Sequence, residues 1–166
     1  MKDMKNGPIA VGPQDGQSLS VIGGACRILV NGRDTGGAYA TIELLVPPGG
    51  GPPPHSHPDF HETLFVMDGE VEVRSEAGAY TAKKGSYVVI QKDGIIHNFK
   101  NKSDQMARLL CTVVPAGLDE LFEEIGKPVK WGEFLPPPHM DREGIEKLAG
   151  IFEKYGQKIF PPDYLG

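Results

Sequence analysis

Five histidines occur in this 166-residue chain, and four of them fall between positions 55 and 97. His55 and His57 flank Ser56, so on a β-strand both imidazoles leave the same face. Glu62 follows after four intervening residues, at the start of an apolar run. His97 lies further on, beyond a hairpin signal and another strand pattern. Three imidazoles and one carboxylate suit a divalent transition metal such as Zn, Fe, Mn, Ni or Cu. The plainer alternative is a rim of polar histidines that binds nothing. Strand spacing combined with a carboxylate argues against it.

The remaining histidines read differently. His61 adjoins Glu62 and so points to the opposite face of a strand, as a rim residue or one standing behind the ligands. The competing idea is that it replaces Glu62 as a ligand. His139, in a proline-rich loop, reads as a surface residue. Cys26 and Cys111 each sit in an apolar strand pattern and read as free buried thiols rather than a disulfide or a nucleophile.

The elements that must hold these side chains are short strands. Residues 1–17 are polar and rich in Gly and Pro, as in an extended arm. Between Leu19 and Pro115, Gly and Pro punctuate brief apolar runs, as all-β folds require. Pro47 to Pro54 is a stiff approach to His55. Asp68-Gly69, between Thr63–Met67 and Glu70–Arg74, predicts a type I′ hairpin. Val71 and Val73 alternate with charged residues and are expected to face inward. After Pro115 the period changes to 3.6: Leu118, Leu121, Phe122 and Ile125 make one helix ending at Gly126. Asp141 caps a second helix with an apolar face of Ile145, Leu148, Phe152 and Tyr155, stopped at Gly156. The expectation is a barrel over residues 18–115, preceded by an arm and followed by a helical extension over 116–166 that packs on the outside or over one mouth.

Composition narrows the function classes. Apolar residues make up 39% and charged residues 23%, with a net charge of −5. That balance argues against a nucleic-acid groove or a basic membrane patch. No apolar run spans a bilayer, and the first residues lack the apolar core of a signal peptide, so a cytoplasmic location is expected.

Two motifs carry a family resemblance. Gly49, five residues, His55-x-His57, four residues, Glu62, six residues and Gly69 resembles the first cupin motif at every position. Gly94, two residues, His97, three residues and Asn101 is similar to the end of the second. The stretch from Gly85 to His97 departs from the pattern. It is one residue longer than usual, and Gln91-Lys92-Asp93 stands where a proline is expected. The resemblance covers residues 38–114.

What the resemblance implies is an all-β, double-stranded β-helix barrel with His55, His57, Glu62 and His97 pointing inward as ligands to one divalent metal ion. Such a site keeps positions open for water or substrate. Phe65, Val88, Ile90, Phe99 and Leu110 are candidate cavity residues, while Arg27 and Arg108 are expected to face solvent. The segment His61-Glu62-Thr63-Leu64-Phe65-Val66 looks like the quercetin-dioxygenase-like branch, in which the glutamate ligand also acts as a base. A dioxygenase acting on a small phenolic or flavonol-like substrate is therefore expected, with Glu62 catalytic. The alternatives are a non-redox metal isomerase, lyase or cyclase, and a small-molecule-binding module without turnover. Cupins of this kind are commonly homodimers, and a homodimer is expected here.

Overall fold

The computed structural model describes residues 7–166, so part of the expected arm over 1–17 lies outside the described residues. In chain order the strands are β1 Gln17–Val21, β2 Gly24–Val30, β3 Ala40–Val46, β4 His55–Ser56, β5 His61–Asp68, β6 Glu70–Ser75, β7 Gly78–Lys83, β8 Tyr87–Ile90, β9 His97–Lys100 and β10 Ala107–Val114. Then come helix α1 Leu118–Ile125, strand β11 Lys127–Pro128, helix α2 Arg142–Lys154 and strand β12 Lys158–Ile159. One sheet runs β11-β1-β2-β3-β10-β5-β8 and the other β12-β4-β9-β6-β7. The jelly-roll of two antiparallel sheets expected from the sequence is thus the fold observed. No helix among the described residues is long and apolar enough to cross a membrane.

Alternation along the strands decides what lies between the sheets. On β5, Glu62, Leu64 and Val66 are buried; on β10, Ala107, Leu109, Cys111 and Val113 are buried. Period-2 side chains put each of these sets on one face. Ile42 of β3 and Val71 of β6 are buried with them, and Val73 packs against the same core from its margin.

One turn differs from the sequence expectation. Asp68-Gly69 is not a hairpin, because β5 and β6 belong to different sheets and do not pair. Gly69 instead carries the chain around the corner between them, at φ +72, where an added Cβ would meet the Met106 carbonyl at 2.6 Å. Close backbone approach and a left-handed φ both demand glycine here, which the hairpin reading shared but for another reason. The β1–β2 hairpin turns on Ile22 (φ 45) and Gly23 (φ 82), while Gly24 already pairs with Val21. A β-branched residue in that region is uncommon and costs of order 1–2 kcal/mol.

The C-terminal residues are woven into both sheets. β11 pairs with β1, and β12 pairs with β4 in the register Lys158↔Ser56 and Ile159↔His55. α1 packs against β1 and β3. α2 begins at Asp141, whose Oδ1 accepts from the Gly144 amide at 2.8 Å, and ends with Gly156 at φ +79, as the sequence predicts. Its apolar face is only partly covered, since Ile145 is exposed while Ile151, Phe152 and Tyr155 pack on the core.

Candidate metal centre

Three short elements bring the four side chains together. His55 of β4 lies directly opposite His97 of β9, and their ring centroids are 4.5 Å apart. His57 follows two residues after His55 and stacks on Phe60 at 4.2 Å. Glu62 comes from the opposing sheet, on the face it shares with Leu64 and Val66. The cluster therefore sits between the sheets, and all four residues are buried.

Each imidazole is oriented by the backbone. His55 Nδ1 lies 2.9 Å from the Pro53 carbonyl, His57 Nδ1 3.2 Å from the Phe60 carbonyl and His97 Nδ1 2.9 Å from the Ile95 carbonyl. A carbonyl only accepts, so Nδ1–H donates in all three rings, and each Nε2 is left to offer a lone pair. The Nε2 atoms of His57 and His97 are 3.1 Å apart, and Glu62 Oε2 is 2.9 Å from the first and 3.6 Å from the second. One potential ligand atom from each of the four residues falls within 4.8 Å of every other. Bonds of about 2.0–2.2 Å to a common ion need nearly this span.

Electrostatics points the same way. Burial, reinforced by His97, drops His55 to about 4, so its imidazole is neutral at pH 7. Burial also pulls His57 down, but the Glu62 carboxylate outweighs it and holds His57 above its ordinary value. Burial acts to raise Glu62, yet hydrogen bonds with His57 and His97 hold its carboxyl well below the usual carboxylate range. Facing lone pairs on His57 and His97 repel unless a positive charge lies between them. Without a metal, a proton shared by His57 and Glu62 meets that need; a divalent cation meets it for all four groups at once. The cluster suits a metal ion on this chemistry.

Surrounding residues show how the site is braced. Cys111 of β10 is fully buried, and its thiol donates to Glu62 Oε1 at 3.3 Å, leaving Oε2 toward the histidines. Burial, followed by the nearby Glu62 charge, pushes this thiol well above its ordinary value, so it remains a donor. Asn101, also fully buried, donates to the Val46 and Gln105 carbonyls, and its amide bonds the Gly50 carbonyl, tying the approach to His55 against the end of β9. His61 lies outside the cluster. Its Nδ1 accepts from the Lys92 amide at 3.2 Å and so anchors the loop that is one residue longer than the motif pattern. It does not replace Glu62. His139 is exposed and apart from the cluster.

A cavity of about 150 Å³ adjoins the cluster, with His55 and Glu62 in its wall. Of the five apolar residues proposed from sequence to line it, only Phe99 does so. Phe65 and Leu110 lie on outward faces, Ile90 is buried in the core, and Val88 packs against that core rather than the cavity. The wall comes instead from β1–β3 and from the C-terminal residues Leu118, Phe122, Phe152, Gln157 and Ile159. Arg27 is also corrected. It is buried rather than solvent-facing, pairs with Glu43, and lies 5.2 Å from the Trp131 ring centre; Arg108, half-exposed, contacts the same carboxylate.

Comparison with known proteins agrees with this architecture. The Cupin_2 family, a cupin domain, matches residues 42–113. Quercetin 2,3-dioxygenase of Bacillus subtilis is 29% identical over 116 residues, covering 70% of this chain and 33% of that protein. Germin-like protein subfamily 2 member 4 of Arabidopsis thaliana is 42% identical over 88 residues, covering 49% of this chain and 39% of its own length. The chain thus spans between a third and two fifths of these curated relatives. Among solved structures, KdgF from Halomonas sp. superposes with a TM-score of 0.59 at 15% identity, over 69% of this chain and 99% of that one. The motifs, the two-sheet barrel and these matches together identify residues 42–113 as a cupin domain.

Proposed function

We propose that this chain is a metal-dependent enzyme in which His55, His57, Glu62 and His97 hold one divalent transition metal, and that it acts as a dioxygenase on a small phenolic substrate. The observation that carries the reading is the convergence of three Nε2 atoms and a carboxylate on one buried point beside an apolar cavity. When bound, the metal supplies Lewis acidity and, if redox-active, electrons for O₂ chemistry. The chain's own groups do the rest. Backbone carbonyls fix the three imidazole tautomers. Glu62, held as a carboxylate, accepts the substrate hydroxyl proton at Oε2, while Cys111 keeps Oε1 engaged. Apolar walls exclude water from the reacting centre. The likeness to a quercetin dioxygenase at 29% identity supports the reaction class. The cavity argues for one ring rather than the three of a flavonol, since an apolar cavity of about 150 Å³ holds benzene.

In this reading residues 18–115 form the catalytic barrel, 1–17 an arm, and 116–166 an extension that completes the cavity wall. Two buried free thiols fit a reducing, cytoplasmic setting. The outermost strands β7 and β8 leave Tyr80, Tyr87 and Val89 exposed, which supports burial of these edges in a homodimer. Metal analysis of protein purified without added metal, followed by O₂ uptake on a panel of catechols, tests the function. Stoichiometric Fe, Mn, Ni or Cu with O₂ consumption is expected. Zinc with no O₂ uptake would contradict the dioxygenase and favour non-redox chemistry at the same ligands.

A further inference from the structure

Gln157 stands out among the groups that face the cavity. It is 6% exposed, and its carboxamide makes no hydrogen bond to any other described residue. It lies in the cavity wall. Asn98 Oδ1 is the one fully buried side-chain polar atom without a partner among the described residues, so the Gln157 carboxamide keeps accessible surface and can pair with a group that enters the cavity.

The fold holds this side chain deliberately in place. Gly156 ends α2 in the left-handed conformation, and the Gln157 amide closes the turn on the Phe152 carbonyl at 3.0 Å. β12 then pairs with β4 through Ile159↔His55 and Lys158↔Ser56. Continued by one residue, that register sets Gln157 opposite His57. Alternation gives Gln157, Ile159, His55 and His57 a common inward face. The cavity wall otherwise contains no charged side chain apart from Glu62, and its other contributions are mainly aliphatic and aromatic.

Building on the metal reading above, we propose that Gln157 selects the substrate: an uncharged, single-ring chelator that binds at the metal centre and carries a second polar group, a hydroxyl or carbonyl, directed to the Gln157 carboxamide. The amide offers both a donor and an acceptor, so it pairs with either group. An anionic substituent meets no cation in this wall and is rejected by the cost of burying its charge.

The test uses the full chain loaded with cobalt(II) under anaerobic conditions, with binding followed by calorimetry. The probes are 4-methylcatechol, 3,4-dihydroxybenzyl alcohol and 3,4-dihydroxybenzoate. The wild type is expected to bind the benzyl alcohol about tenfold more tightly than the methyl compound, the value of one well-placed hydrogen bond. The benzoate is expected to bind at least about a hundredfold more weakly than the benzyl alcohol. Gln157→Leu should abolish the preference for the alcohol while cobalt content stays at the wild-type level. Gln157→Met, of similar length to the natural side chain, should do the same if the leucine variant is poorly folded. Equal affinity of the wild type for the methyl and hydroxymethyl probes, or an unchanged preference in both variants, would overturn the role of Gln157. Tightest binding of the benzoate would overturn the uncharged substrate class. Wild-type protein that takes up no cobalt would overturn the metal reading itself, and the inference with it.

Discussion

Removing the Cys111 thiol probes whether the site depends on groups that never touch the metal. The thiol is fully buried and donates to Glu62 Oε1 at 3.3 Å. A hydrogen bond to a charged group contributes about 1.5–3 kcal/mol, and a thiol is a weak donor, so the lower end applies. Cys111→Ala also leaves a sulfur-sized void in the core, which adds about 1–1.5 kcal/mol. The variant should thus lose about 3 kcal/mol of stability, read by urea unfolding of the metal-free protein. Metal affinity should fall at least about tenfold, since 1.4 kcal/mol is a factor of ten and loss of a group orienting a ligand costs about 10–100-fold. With no donor at Oε1, Glu62 loses the contact that keeps Oε2 toward the histidines. Cys111→Ser restores a donor, so it should regain most of the metal affinity while remaining less stable. Competition against a chromophoric chelator measures both variants. Equal losses of stability in the two with metal affinity unchanged in either would refute the reasoning and leave Cys111 as packing alone.

Other perturbations follow from the same geometry. Gly69→Ala meets a backbone oxygen at 2.6 Å and a left-handed φ. It should cost about 3 kcal/mol and lower Tm by roughly 6–12 °C, read by calorimetry. His61→Ala should retain the full metal content by mass spectrometry, because His61 anchors a loop and does not join the cluster. Burial pushes Cys26 up to about 12 from 9.0. Its raised value contributes stability that is present below pH 9 and lost as pH rises toward 12; a denaturation series across that window should show the decline, and a thiol reagent at pH 8 should label the folded protein far more slowly than the unfolded chain.

The two halves of the problem were unequally legible in the sequence. His55, His57 and Glu62 lie within eight residues, so strand geometry alone brings two of them to one face, and the glycine spacing brings in His97. The helices were equally plain, because Asp141, Gly126 and Gly156 mark their ends with local chemistry. What sequence periodicity does not encode is which sheet a strand joins. Asp68-Gly69 satisfies the local rule for a hairpin, yet the chain turns a corner there because β5 pairs with β10 and β8. The same gap hid the cavity: Phe65 and Leu110 are apolar but outward, and the true wall comes from β1–β3 before the motif and from Leu118, Phe122, Phe152, Gln157 and Ile159 after it. Arg27 reads as a solvent residue until Glu43 is seen directly across from it on β3. Cys111 gave an inward-facing signal through its strand pattern, but its partner Glu62 is visible only once β10 and β5 are paired. Gln157 carried no signal of its own. It matters because β12 is set against β4.

X-ray absorption at the metal edge of the loaded protein reads the ligand set formed by His55, His57, Glu62 and His97. A shell of nitrogen and oxygen scatterers at about 2.0–2.2 Å is expected, with the multiple-scattering pattern of three imidazoles and no sulfur. His57→Ala is expected to lose most of the bound metal, since one of four ligands is removed. A shell containing sulfur, fewer than two imidazoles, or undiminished metal in His57→Ala would contradict that ligand set.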